Sequence, residues 1–281
     1  MTDAAPTAAA QRWRQLVRAR LEQMEALEPG RGSMGADFWD ARARRFADRT
    51  AGSGERDPFL RVVRASVGER TTVLDVGAGP GRFALPLAAR AREVVAVDPS
   101  RRMLAILRRE ARRRGLANVR EALGRWEDVE QEADVVICSY VLPVIEDAAG
   151  FLRKLHAAAR RRVFVYLPAA SSDLLTDPFW RHFHDAPRRL GPTYLDAVAV
   201  VREQGIDPTV RVVEAPVVGR FASLGQAVSD YRDHLALPDS PVVRRELRRL
   251  LADWLVGREP ALRAPLRTLP SAILRWTSVG G

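Results

Sequence analysis

Cysteine occurs once in 281 residues, at Cys138, so the chain can close no internal disulfide and build no cysteine-rich zinc site. That usage suits a reducing compartment, and a cytoplasmic protein is the expectation. No apolar run approaches the ~20 residues that a membrane-spanning helix needs, so no membrane partner is expected. The first ten residues are alanine-rich but lack the charged start and long apolar stretch of a secretory signal. Lysine is nearly absent as well: Lys154 is the only one among 45 basic residues. Set against 35 acids, the basic residues leave a net charge of +10, which raises the possibility of a nucleic-acid partner. The arginines are spread along the whole chain and mixed with acids, so that partner is not favoured. His184-Asp185 and Glu146-Asp147 make no convincing ligand set, and no metal is expected.

The pattern of apolar residues divides the chain near residue 57. Within residues 1–57, Gln11 to Leu27 reads as an amphipathic helix, with Trp13, Leu16, Val17, Leu21, Met24 and Leu27 on one stripe. That stripe can cover the domain, a substrate or a second subunit, which leaves a homodimer open. Glu28 to Ser33 reads as a linker, Phe38 to Asp48 as a second helix, and Ala51 to Gly54 as another loose joint. Phe38-Trp39 is a candidate lid, or a patch that buries against the sheet. Residues 58–281 open with a helix from Pro58 to about Val67. Strands follow at Thr72–Val76, Val94–Val97, Val119–Leu123, Val135–Cys138 and Val163–Leu167. Helices at Arg82–Arg90, Ser100–Arg114 and Ala148–Ala159 alternate with them. Short, nearly all-apolar strands alternating with helices mean an α/β fold with a doubly wound parallel sheet covered on both faces. Helical insertions are expected at about 171–205, including one helix over Asp177–Gly191, and at about 222–265. Strands at Val210–Val213 and Ala272–Trp276 complete the pattern.

The segment Asp75-Val76-Gly77-Ala78-Gly79-Pro80-Gly81 carries the most information. A strand running into three alternating glycines lets the backbone turn sharply and approach a ligand with no Cβ in the way. Asp98 ends the next strand, where a carboxylate can accept both hydroxyls of a ribose, and Ser100 then caps a helix. A P-loop would need Gly-Lys-Ser/Thr, but Arg82-Phe83 follow Gly81. A dinucleotide site would space its glycines G-x-G-x-x-G to seat a pyrophosphate. Here an acid stands two residues before the first glycine, which opposes a pyrophosphate and suits a ligand bearing an ammonium group.

Val73-Leu74-Asp75-Val76-Gly77-Ala78-Gly79-Pro80-Gly81 resembles motif I of the class I S-adenosylmethionine-dependent methyltransferases. Val95-Ala96-Val97-Asp98-Pro99-Ser100 with Met103-Leu104 is similar to the second motif of that family, and Ala133 to Ser139 to its fourth strand. The resemblance covers about Pro58 to Pro168. It implies a Rossmann-like, mostly parallel seven-stranded sheet whose last strand runs antiparallel, with S-adenosyl-L-methionine as cofactor and S-adenosyl-L-homocysteine as product. It further implies that Asp75 and Gly77 face the methionine portion while Ala78, Gly79 and Gly81 shape the turn. Asp98 and Pro99 would then flank the ribose, Met103 would pack on the adenine, and Ser139 would border the cofactor. Where the family commonly carries an acid after strand three, this chain has Arg125, so Trp126 and Glu127 become the candidate adenine contacts.

Methyl transfer from a sulfonium is an in-line displacement that needs alignment and a dry pocket more than an acid or base. Candidate acceptor-side residues are Tyr140, beyond strand four, and His182 and His184 in the first insertion, either of which can deprotonate a hydroxyl near neutral pH. Ser139-Tyr140-Val141-Leu142-Pro143 lacks the Asp/Asn-Pro-Pro-Tyr run that resembles amino-group methylation, and Cys138 lacks the Pro-Cys setting of cytosine-5 enzymes. A small organic acceptor is the leading expectation. The alternatives are an RNA- or protein-directed methyltransferase and a cofactor-binding homologue without catalysis. A nicotinamide-dependent oxidoreductase is more remote.

Overall fold

Residues 7–30, 34–217 and 219–278 are described by the computed structural model. Seven strands form one sheet: β1 (Thr72–Val76), β2 (Glu93–Asp98), β3 (Val119–Leu123), β4 (Ala133–Ser139), β5 (Ala159–Pro168), β6 (Thr209–Pro216) and β7 (Thr268–Thr277). Their order is β3-β2-β1-β4-β5-β7-β6. β1 pairs in parallel with β2 and β4, while β7 runs antiparallel to both β5 and β6. This is the mostly parallel doubly wound sheet expected from the alternation, with the antiparallel strand that the resemblance implies. The strand order reverses between β1 and β4, and a crevice at the carboxyl ends of strands is where such sheets take ligands.

The helices are α1 (Ala8–Leu27), α2 (Ala36–Thr50), α3 (Pro58–Arg64), α4 (Ala84–Ala88), α5 (Arg101–Arg113), α6 (Ala148–Ala158), α7 (Asp177–Phe183), α8 (Tyr194–Glu203), α9 (Leu224–His234) and α10 (Pro241–Trp254). Several starts are written in the sequence as caps. Asp57 accepts the N–H of Phe59 with Pro58 in the first turn, Ser100 accepts that of Met103, and Asp147 that of Gly150. Thr193 and Asp196 form a reciprocal capping box at α8.

Alternation along the strands sorts the core into two faces. Leu74, Val76, Val136 and Cys138 join Trp13, Val17, Leu155 and Val201 on one side. Val73, Val135 and Ile137 join Phe59, Phe83, Leu87 and Leu107 on the other. A third cluster unites Met24 with Phe179, Trp180, Phe221, Leu247 and Leu251, so the two insertions share one apolar centre. The α1 stripe is thereby accounted for. Trp13 is fully buried and its indole N–H donates to the Ile145 carbonyl at 2.7 Å. Trp13, Val17 and Met24 thus cover their own domain, while Leu27 at the end of the stripe is exposed.

Three expectations about elements are corrected. The helix read over Arg82–Arg90 spans only Ala84–Ala88, because Pro86 has no N–H to return to the preceding turn. The helix expected through Gly191 stops at Phe183, where His184 turns extended ahead of Ala186-Pro187. β6 and β7 run longer than the apolar runs suggested. Arg211 and Glu214 on an edge strand and Pro270 in its partner hide the ladder, yet Glu214 pairs with Pro270 and Pro216 with Thr268. The linker read at Glu28–Ser33 includes Arg31–Ser33, which lie outside the described residues.

Candidate functional site

At the carboxyl end of β1 the chain turns through Gly77, Gly79 and Gly81, with φ of +74°, +54° and +92°. L side chains avoid this region. Gly77 and Ala78 donate their N–H groups to the Val97 carbonyl at 2.8 and 3.0 Å, which pins the turn to the end of β2. A Cβ on Gly77 would meet Val141 Cγ2, and one on Gly81 would meet Leu85 Cγ at 2.7 Å. Those two glycines are fixed by packing. A Cβ on Gly79 would meet only Phe46 Cε1, at 3.9 Å, so that position opens toward α2 and leaves room for a ligand.

Two carboxylates lie under the turn. Asp75 is 1% exposed, and its Oδ1 has no hydrogen-bond partner. Burial pushes its carboxyl up to about 7, the neighbouring charge of Asp98 adds to the rise, and a backbone bond from Ala84 opposes it. Asp98 is also buried. Its Oδ2 accepts the Gly79 N–H and its Oδ1 the Ser100 N–H, each at 2.8 Å. Burial raises its pKa as well. A carboxylate has about four acceptor sites, so two backbone amides orient this one and leave capacity toward the turn.

Helix α2 lies across this region. Asp40 accepts from the Ser100 hydroxyl at 2.5 Å and from the Arg102 N–H at 3.0 Å, and the Ser100 bond leads in holding its carboxyl below the ordinary range. The opposite side of α2 is clamped to α9. Arg42 makes two bonds to Asp233, at 3.0 and 2.6 Å, while Arg45 and Arg49 reach Asp230 at 3.3 and 3.4 Å. Neither Asp40 nor this arginine–aspartate clamp is visible in local sequence, because both partners are distant in the chain. Regularly spaced Arg42, Arg45 and Arg49 along one helix face were the available signal.

Beyond β4, Tyr140 has φ +58°, an uncommon conformation for a bulky residue. Its hydroxyl lies 3.0 Å from Ser271 Oγ, and its ring meets Tyr166 edge-on at 4.8 Å between centroids. Burial raises its phenol pKa, so the hydroxyl stays protonated at neutral pH. Arg82, from the glycine turn, lies 5.7 Å from the ring centroid and pairs with the buried Asp57. Ser139 ends β4 and is half-buried.

The remaining candidates fall elsewhere. Met103 is buried in the first turn of α5, and Pro99 is partly exposed beside Asp98. Trp126 is 4% exposed within the core, with the Lys154 ammonium 5.1 Å from its ring centroid. Glu127 is exposed and reaches Arg125 at 3.3 Å. His182 pairs with Glu246 on α10 at 3.1 Å. His184 places Nε2 2.9 Å from the Leu235 carbonyl, and its ring packs at a tilt against Trp180, 4.2 Å between centroids. Both histidines are thus tied to the α9–α10 insertion, and the expected base function has no support from their contacts. Cys138 is fully buried and its thiol is pushed up, so it is inert. Among the described residues there is no group of three or more metal-ligating side chains, and no helix is long and apolar enough to cross a membrane.

Comparison with known proteins agrees with this geometry. Residues 73–162 match the family model described as "Methyltransferase domain". The chain carries a class I S-adenosylmethionine-dependent methyltransferase domain. It is 31% identical over 190 residues to an uncharacterised protein of Haemophilus influenzae, covering 63% of this chain and 66% of that one. It is 36% identical over 95 residues to the ubiquinone biosynthesis O-methyltransferase of Methylocella silvestris, covering 33% and 37%. The chain therefore spans just under two thirds of the first relative and little more than a third of the second. In fold it resembles the magnesium protoporphyrin IX methyltransferase of Synechocystis, solved with S-adenosylhomocysteine bound. That likeness has a TM-score of 0.56 at 16% identity over 86% of this chain and 97% of that one.

Proposed function

We propose that this methyltransferase chain moves a methyl group from S-adenosylmethionine to a small organic acceptor by in-line displacement. The observation that carries the reading is the buried, unpartnered Oδ1 of Asp75 beneath a turn open at Gly79. A buried carboxylate oxygen without a donor is costly, and the ammonium of a bound amino acid is the donor that would offset it. The residues thus fit the cofactor where the glycine turn covers a buried, unsatisfied carboxylate oxygen.

S-adenosylmethionine, when bound, supplies a methyl carbon already activated by its sulfonium. The chain supplies placement. Asp75 holds the amino-acid end, Gly77, Ala78, Gly79 and Gly81 give the backbone its close approach, and Asp98 accepts ribose hydroxyls beside Pro99. Met103 borders the adenine from α5, and Ser139 borders the cofactor from β4. The adenine contacts are assigned to Trp126, packed in the core, and Glu127, turned to Arg125. Tyr140 orients the acceptor as a neutral hydroxyl, held by Ser271. Helix α2, tied to both α5 and α9, covers the cleft and keeps water out.

A small acceptor is favoured over a polymer because α2, which brings Phe46 up to Gly79, is held to α9 by paired arginines and aspartates and so narrows access to the turn. The test is transfer from methyl-labelled S-adenosylmethionine in a cell extract separated into small molecules, RNA and protein. Label in the small-molecule fraction is expected. Label confined to RNA or protein would overturn the acceptor, and calorimetry showing no S-adenosylhomocysteine binding would overturn the cofactor.

A further inference from the structure

Away from the cofactor loop, a surface pocket of about 470 Å³ lies between α3 and the end of α4, lined by Glu55, Arg56, Asp57, Arg61, Arg64 and Arg90. Arg64 closes α3 before β1 begins, and Arg90 lies between α4 and β2. The pocket therefore extends toward the amino ends of the strands, whereas the glycine turn sits at their carboxyl ends.

Its charges do not cancel. Asp57 is paired with Arg82, and Glu55 with Arg64 at 2.9 Å, with Arg114 4.0 Å away. Arg56, Arg61 and Arg90 are exposed and have no ion-pair or hydrogen-bond partner among the described residues. Arg64 contributes a further unmet need: its Nε is buried and has no acceptor. A buried donor without a partner is costly, and guanidiniums crowded around one concavity repel one another. An anion with several oxygens answers both, since guanidinium forks match phosphate oxygens two at a time.

We propose that this pocket binds a compact, multiply charged phosphate group, free or esterified, at a site separate from the cofactor. A nucleic acid fits less well because its footprint needs a continuing track of free cations. On α5, next to the pocket, Arg113 and Arg114 are bound to Glu110, and Arg108 to Glu121. Those three guanidiniums are already engaged, which leaves the free charge concentrated at the pocket.

The test is calorimetry at low ionic strength in phosphate- and sulfate-free buffer, on protein saturated with S-adenosylhomocysteine. Inorganic tripolyphosphate is expected to bind with a micromolar dissociation constant. Uridine triphosphate binding more tightly would place the phosphate on an ester, and equal binding would make the phosphate chain alone the ligand. The Arg61→Ser/Arg90→Ser variant should bind tripolyphosphate at least tenfold more weakly with unchanged affinity for S-adenosylhomocysteine. An Arg245→Ser/Arg248→Ser variant, which removes the same charge from exposed positions on α10, should bind as the wild type does. Binding only at millimolar concentration, equal loss in both variants, or competition with S-adenosylhomocysteine would each overturn the proposal. So would an RNA oligomer that outcompetes tripolyphosphate for the same arginines.

Discussion

Replacing Asp75 by Asn should stabilise the ligand-free protein while abolishing much of its affinity for the cofactor. The structure gives the magnitude. Asp75 is buried, its Oδ1 has no donor, and its carboxyl is moved from an ordinary 3.8 to about 7. At ~1.4 kcal/mol per pH unit, holding that carboxylate ionised in the native state costs about 4 kcal/mol. The sign follows from proton linkage. Because the folded pKa lies above the unfolded one, the native state keeps a proton that the unfolded chain loses, and stability falls as pH rises from about 4 to about 7. Above pH 7 the full penalty is present, and below pH 4 it vanishes. Asn is isosteric, carries no charge, and can still accept the bond from Ala84. In urea denaturation at pH 8 without ligand, D75N should exceed the wild type by up to ~4 kcal/mol, and the two should converge near pH 4. Saturating S-adenosylhomocysteine should reverse the ranking, since a ligand stabilises only the state it binds. An Asn variant less stable than wild type at pH 8, or one that the ligand stabilises equally, would show that Asp75 already has a native partner and refute the ammonium assignment.

Four further outcomes are expected. Asp98→Ala should weaken S-adenosylhomocysteine binding by ~2–3 kcal/mol in calorimetry, the worth of hydrogen bonds to a charged group, and it frees the N–H groups of Gly79 and Ser100 as well. An unchanged dissociation constant would remove Asp98 from the ribose. Gly77→Ala should destabilise by ~2–4 kcal/mol in urea, combining left-handed strain with overpacking on Val141. Adding Val141→Ala should recover the packing share only, and full recovery would show that φ is not strained. Arg42→Ala should raise the dissociation rate of S-adenosylhomocysteine by roughly tenfold, equivalent to ~1.4 kcal/mol, because it cuts two bonds between α2 and α9. Trp39 on α2 offers a stopped-flow signal for that rate, and an unaltered rate would mean that α2 does not gate the cleft. Tyr140→Phe should leave cofactor affinity alone and slow methyl transfer to the acceptor once one is found in the extract assay; a rate equal to wild type would strip Tyr140 of its orienting role.

How far the sequence could be read depended on whether the information was local. The strand carrying Asp75 and the glycine turn were legible because sterics favour glycine where φ is positive, and Gly77, Gly79 and Gly81 all have it. Asp98 was legible from its place at the end of an apolar strand. Ser100 was legible as a cap, and its hydroxyl does receive the Met103 N–H. What local sequence does not carry is equally specific. His182 and His184 looked functional because histidine titrates near neutral pH, but proximity in sequence says nothing about partners. Those partners are Glu246 on α10 and the carbonyl of Leu235, which follows α9. Of the clamp from Arg42, Arg45 and Arg49 to Asp230 and Asp233, only the arginine spacing was legible, since the partners are separated by some 180 to 190 residues. In an arginine-rich chain, moreover, one arginine resembles another until burial distinguishes it. Charge pairing over such distances is set by the packing of the two insertions around Phe179, Trp180 and Leu247, and only the folded chain holds that information. The cofactor loop and the roof over it thus have different origins. The loop follows from backbone rules that hold wherever the motif occurs. The roof follows from contacts between segments far apart in the chain, and acceptor choice should therefore change with substitutions in α2 and α9 that leave cofactor affinity intact.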